Sequence, residues 1–245
     1  MQTSRILPVT FAAALAASGA LAQQSDWDYS ASFYLFMPET ETGIDTSLGS
    51  ADSTLSFSDA LDNLDFAFMG AFEAHNGRWG GLIDVMHTNL SFGSDTSGPA
   101  FSGIDTDLEL NIITVAGLYR VHEDARTTID LSAGFRWSEV DTTIEFTPGA
   151  VAGRVFEAST DWFDPVIGAR FNHQFSDRWS GTGLFDYGGT GDSESWQVLL
   201  TANYAINENW VFRGGYRYVS LENEDGGATI NVDQYGPIFG FTYQF

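Results

Sequence analysis

The residues of this chain that could do chemistry are carboxylates and arginines placed at alternate positions. Asp84 stands between Ile83 and Val85, Asp130 between Ile129 and Leu131, and Arg136 between Phe135 and Trp137. Glu73, Asp164, Arg170, Asp186, Arg213 and Arg217 lie in the same kind of setting, each flanked by apolar or small residues. Asp28 sits between Trp27 and Tyr29, and Asp107 and Glu109 alternate with Leu108 and Leu110. A two-residue period puts such charges on one face of a strand and the apolar residues on the other. Charges gathered on an inner face must pair or stay hydrated. The first expectation is therefore an Arg–carboxylate network that fills and stiffens the inside of a closed sheet, in a protein with a structural or surface-interaction role. Acids outnumber arginines in the set, so the alternative is a narrow cation-preferring passive pore.

Catalysis has less to build on. His75, His122 and His173 fall beside short turns, and His87 falls in the apolar phase. Neither a Ser–His–Asp set nor an HExxH spacing occurs. No catalytic residue, cofactor or resident metal is expected, and no enzyme activity. A hydrolase at the outer rim is a distant third reading, since a fold can host such a site without requiring it.

The elements that must position these charges are strands. Period-2 alternation recurs in ten runs: 27–37, 64–74, from 79, 107–118, 129–137, 163–171, 185–187, 196–204, 212–218 and 234–245. Short polar connections, "HNGR" (75–78), "HEDAR" (122–126), "SDR" (176–178) and "NEN" (207–209), separate some of them. Longer polar stretches at 38–63, 91–104, 147–158 and 222–228 separate most others. Short turns at one end and long loops at the other describe an up-and-down antiparallel meander. Along 139–146 the alternation reverses, with Val140, Ile144 and Phe146 in the former polar phase. Either the strand rises into water there, or a β-bulge near Ser138 flips it. "SDALDN" (58–63) is expected to form one helical turn capped by Ser58.

No segment after the N-terminus approaches 18 uncharged apolar residues, which excludes transmembrane helices. A two-sheet sandwich and a lipid-embedded barrel both remain compatible with period 2. Three features favour the barrel: Trp79, Trp179 and Trp210 directly follow short turns, the polar faces mix Gly with charges of both signs, and the chain stops on its last strand. The expected fold is all-β, a single transmembrane antiparallel up-and-down β-barrel, with ten strands or, if two runs are miscounted, eight.

Residues 1–22 carry Arg5, an apolar stretch and the small-x-small triplet Ala20-Leu21-Ala22, the pattern of a signal peptide. The barrel domain is then 23–245. There are 33 acidic residues against 10 basic ones and no cysteine, for a net charge of −23. Every basic residue is Arg. That balance argues against nucleic acid as a partner. It is compatible with divalent cations at acidic outer loops holding Glu39, Glu41, Glu222 and Glu224.

"WFDPVIGARF" (162–171), "FDYGGTGDSESWQ" (185–197), "GGYRYV" (214–219), "YGP" (235–237) and "SFSDALDNLDFAFMGAFEAHNGRWG" (56–80) resemble a family of uncharacterised Gram-negative outer-membrane β-barrel proteins, within the group of small eight- to twelve-stranded barrels. The resemblance spans 27–245; Phe171 departs from it, where Tyr is expected. It implies residence in the cell outer membrane, contact with outer-membrane lipid, and handling by the barrel-assembly machinery. Tyr243 and Phe245 resemble the C-terminal assembly signal of such barrels.

Overall fold

The computed structural model describes residues 27–46, 49–95, 101–225 and 227–245; the expected leader, 1–22, lies outside the described residues. The elements are β1 (Asp28–Phe36), β2 (Glu39–Thr46), β3 (Gly49–Leu55), α1 (Phe57–Asp62), β4 (Leu64–Asn76), β5 (Trp79–Asp95), β6 (Phe101–Glu123), β7 (Thr127–Pro148), β8 (Arg154–Gln174), β9 (Trp179–Thr190), β10 (Ser193–Ala205), β11 (Trp210–Asp225) and β12 (Ala228–Gln244). All twelve strands belong to one antiparallel sheet. β1 pairs with β4 on one side and with β12 on the other, so ten strands, β1 and β4–β12, run round a closed ring.

The remaining two strands lie in 38–63, which composition presents as a polar loop. β12 runs well past the end of β1 and leaves backbone groups without a partner. β2 satisfies them: the pairing of Phe36 with Ile238 is succeeded by that of Glu39 with Tyr235, and β3 folds back on β2. Backbone demand rather than apolar alternation makes these strands. Within 91–104 and 147–158, residues 91–95, 101–104, 147–148 and 154–158 are likewise strand, because β5 reaches Asp95, β6 starts at Phe101, β7 reaches Pro148 and β8 starts at Arg154, with 96–100 outside the described residues. α1 is the expected helical turn, but its cap is Ser56, whose Oγ accepts from the Asp59 N–H.

Short polar residues close the tight turns. Asp124 accepts from the N–H groups of Arg126 and Thr127, both at 2.8 Å. Asn207 does the same for Asn209 and Trp210, at 2.9 and 2.8 Å. Gly77, at φ 57, supplies the first position of the two-residue turn between β4 and β5.

The outer face near the short turns is apolar and exposed. It carries Phe33, Phe72, Phe135, Phe163, Ile167, Leu200 and Phe241, with Phe135 62% exposed. Three Trp–Tyr pairs edge it at the turns: Trp79–Tyr119, Trp179–Tyr204 and Trp210–Tyr243, with ring centroids 4.8, 5.0 and 5.0 Å apart. Toward the far end the two faces exchange character. Phe36, Met86, Leu110, Ile112, Val140, Val219 and Leu221 form a buried cluster inside the ring. The outer face there carries Glu109, Glu139, Asp141 and Asp161, and Trp137 Nε1 donates to Asp161 where the change occurs. Pairing of β7 with both neighbours is continuous through Ser138, so no bulge produces the reversal.

One strand is the reverse of its expected phase. Asp107 and Glu109 point outward, and Leu110, Ile112 and Leu118 point inward and are buried. In "LELNIITVAGLYRV" both faces are apolar over the second half, and the acids of the first half stand above the apolar belt, where the outside is polar.

Candidate functional site

The densest polar chemistry lies inside the ring, in two layers. The layer nearer the short turns is centred on Arg170 of β8. Its Nη2 donates to Glu73 Oε1 and to Asp130 Oδ2, both at 2.9 Å, and its Nη1 donates to Glu73 Oε2. Arg120 Nε donates to the other Asp130 oxygen at 2.9 Å, and His75 Nε2 lies 2.7 Å from Glu73. Asp130 is fully buried and accepts from two guanidinium groups, so its charge is compensated twice.

The second layer lies one to two turns of pleat farther along. Arg136 of β7 is 1% exposed and uses every edge of its guanidinium: Nε to Thr114 Oγ1, Nη1 to Ser195 Oγ, and Nη2 to Asp186 Oδ1 at 2.6 Å. Gln197 bridges onward, donating to Asp186 Oδ2 and accepting from Arg217 Nε and Nη2 at 3.0 and 2.7 Å. Arg217 also reaches the Tyr34 hydroxyl and Asp84 Oδ1, and Tyr34 itself donates to Asp84 Oδ2. The two layers draw side chains from β1 and from every strand β4–β11. Beyond them sits the apolar cluster, so charge and then hydrocarbon cross the interior in sequence.

The expected site residues divide accordingly. Glu73, Asp84, Asp130, Arg136, Arg170, Asp186 and Arg217 are brought together. Asp164 is buried on the same face but is held by Trp162 Nε1 and the Ser193 hydroxyl instead of an arginine. Arg213 faces the interior with a buried Nε that finds no acceptor, and no carboxylate among the described residues lies within ion-pair distance of it. Asp28 is exposed at the short-turn rim. Asp107 and Glu109 are outside the ring altogether, the first accepting from Ser91 and the second from Asn111. Arg120 was hidden by the reversed phase of β6: once Leu118 is inside, Arg120 is too. Tyr34 and Gln197 carry no charge and offered no signal beyond their polar phase.

Outside the ring, Glu109, Glu139 and Asp141 hold carboxylate oxygens within 4.8 Å of one another. Asn111 Nδ2 already donates to both glutamates, at 3.0 and 2.8 Å, and His87 Nδ1 meets Asn111 Oδ1. At the short-turn end, Asp124 is held down to a pKa of about 2 by the Arg126 N–H, by His122 and by the Thr127 N–H.

Among the described residues, the interior holds cavities at two levels. One, about 140 Å³, is bounded by both charge layers and touches Glu73, Asp84, Arg170, Arg213 and Arg217. A second, about 320 Å³, lies at the far end, beyond the apolar cluster, and its walls are aliphatic, threonine and serine side chains with Gln234.

No protein-family model matches the chain, and no curated protein matches it. Among solved structures, the outer membrane protease OmpT of Escherichia coli aligns over 89% of this chain and 97% of its own, with a TM-score of 0.61 and 14% identity. Ail, the attachment invasion locus protein of Yersinia pestis, covers 89% and 98% at a TM-score of 0.36 and 12% identity, too low a score to add to the fold. The fold is that of Gram-negative outer-membrane β-barrel proteins, and the outer face carries a belt of exposed aromatic and aliphatic side chains edged by Trp–Tyr pairs. The cell outer membrane is where such a surface belongs.

Proposed function

We propose that the chain is a transmembrane β-barrel with a closed lumen, working as a structural and surface-presenting element of the outer membrane and not as an open channel or an enzyme. The observation that carries this reading is the pair of charge layers reaching β1 and β4–β11, backed by the apolar cluster. A lumen of about ten strands is narrow enough for side chains to fill, since open aqueous channels belong to ~16–18 strands. The Trp–Tyr pairs at the short turns and the polar-tipped Tyr187 and Tyr235 at the other edge of the belt support the membrane span. From Trp179 to Tyr187, and from Tyr235 to Tyr243, each strand runs nine residues, within the ~9–11 that a tilted transmembrane strand needs. The short turns then face the periplasm, and the far ends of β2, β3 and β5–β8 stand outside the cell.

OmpT is a protease, and the shared fold leaves that activity open for this chain. The histidine positions favour a non-catalytic role: His75 is engaged in the lower charge layer, His87 lies on the outer face, and His122 and His173 lie near the short turns. The alternative of a narrow path draws support from the 140 Å³ cavity, although its walls set Arg170, Arg213 and Arg217 against Glu73, Asp84 and Asp186 and so carry no excess of acids.

Reconstitution of the purified protein in a planar bilayer tests the reading. A closed lumen gives a flat current trace at moderate voltage. Discrete steps with a cation-selective reversal potential would replace it by the pore.

A further inference from the structure

We infer that the outer cavity is a binding site for a small uncharged aliphatic molecule bearing a hydrogen-bond donor. The cavity of about 320 Å³ is walled by side chains from β2, β5, β6, β7, β8 and β12, and none of its lining residues is charged or aromatic. Leu90, Leu110, Val140 and Val232 are buried beneath it, and the last three belong to the apolar cluster that separates it from the charge layers. A charged guest would lose its water here and find no counter-charge. Aliphatic walls instead favour a guest that brings apolar surface.

Gln234 gives the site its polarity. This residue of β12 is 5% exposed and lines the cavity. Its Nε2 donates to Thr40 Oγ1 at 3.2 Å, and its Oε1 is buried with no partner. A buried amide oxygen left without a donor costs free energy, and so calls for one. The guest that satisfies it presents an O–H or N–H. Thr40, Thr42, Thr88 and Thr142 add hydroxyls that can rotate to suit either role.

Size limits the class further. An apolar cavity of about 150 Å³ accepts benzene, a ring of six heavy atoms. Twice that volume suits roughly ten to twelve heavy atoms. Medium-chain alcohols and amides and small alicyclic alcohols have that size and that single polar end. The lumen beneath is filled by the apolar cluster and the charge layers, so binding here is retention at the cell surface rather than passage. The site itself does not depend on whether the lumen conducts.

The test uses the full-length mature protein in lipid nanodiscs, labelled at Leu, Val and Ile methyl groups, with empty nanodiscs as the partition reference. Decan-1-ol, decane and decanoate share one skeleton and differ in the end group. Decan-1-ol is expected to give saturable shifts of the Leu110, Val140 and Val232 methyl resonances. Its affinity should exceed that of decane by about fivefold, the worth of one hydrogen bond, and decanoate should bind most weakly. Gln234→Leu should bring decan-1-ol and decane to equal affinity. Ala158→Trp, at an exposed wall position, should remove saturable binding of all three while the folded gel mobility is kept. Non-saturating shifts in every case, equal affinity for alcohol and alkane in the unsubstituted protein, or tightest binding of decanoate would each overturn the site. A conducting lumen with saturable decan-1-ol binding would overturn only the closed-lumen reading.

Discussion

Arg136 of β7 and Asp186 of β9 meet at 2.6 Å across the interior, although β8 separates their strands in the sheet. The pair therefore fastens the ring across its lumen, where backbone pairing cannot reach. Arg136→Met leaves Asp186 buried with Gln197 as its remaining donor. Removing one partner of a buried pair costs ~3–5 kcal/mol, whereas replacing both by apolar residues of like volume is close to neutral. Urea unfolding of the single variant and of Arg136→Met with Asp186→Leu in lipid vesicles should show this order. Equal losses in the two would mean that the pair is not the unit that matters.

Leu110 and Glu109 provide a second test, because consecutive residues face opposite media. Leu110 is buried in the apolar cluster, so Leu110→Ala should cost ~2–5 kcal/mol. Glu109→Gln, on the outer face above the belt, should stay within about 0.5 kcal/mol. Spin labels at the two positions should differ in the same sense, with the Glu109 label open to an aqueous relaxant. A lipid-shielded label at Glu109 would restore the opposite phase.

These two neighbours also mark where the fold was legible from sequence and where it was not. Alternation identified the strands, and one polar residue among large apolar ones settled the phase of β7, β8, β9 and β11. It failed in β6, where Val115 outside and Ala116 inside are both apolar, and where the acids lie above the apolar belt. Hydrophobicity marks the outer face within the apolar belt and the inner face beyond it, so a strand crossing that boundary reverses its own signal. The same reversal along 139–146 was legible because Val140 and Glu139 exchange roles abruptly. β2 and β3 left no trace, since Thr, Ser, Gly and Asp were recruited there by the free edge of β12. The network was legible in its charged members except Arg120, which the reversed phase of β6 hid. Its neutral links, Tyr34 and Gln197, were not.

The turn at Asp124 predicts a pH response. Its carboxylate is held at a pKa of about 2 by the Arg126 N–H, His122 and the Thr127 N–H. A depressed carboxylate pKa contributes stability that is present above the unfolded value, near 3.8, and lost as pH falls through about 2. The protection of the Arg126 and Thr127 amides, taken relative to their intrinsic exchange rates at each pH, should therefore hold at pH 4 and fall between there and pH 2. Asp124→Asn should lower that protection at neutral pH and flatten its pH dependence. A profile in the unsubstituted protein that is already flat across this window would show that the carboxylate does not hold the turn.

Phe245 separates folding from assembly. Its backbone N–H donates to the Tyr29 carbonyl at 3.0 Å, and its ring lies edge-on to Tyr243, 4.9 Å away. The side chain is itself 62% exposed. Deleting it removes one net hydrogen bond, worth ~0.5–1.5 kcal/mol, and little buried area. The ring keeps its β1–β12 closure from Ser30 paired with Gln244 through Phe36 paired with Ile238. Refolding of the deletion variant into detergent, scored by heat-modifiable gel migration, should be nearly unchanged. The resemblance of Tyr243 and Phe245 to a terminal assembly signal concerns an earlier step, at which the final strand is read before any membrane folding. In cells the variant should therefore reach the outer membrane in reduced amount and leave unfolded chain in the periplasm. Normal assembly in cells together with lost refolding in vitro would reverse the assignment and make Phe245 a structural closure of the ring.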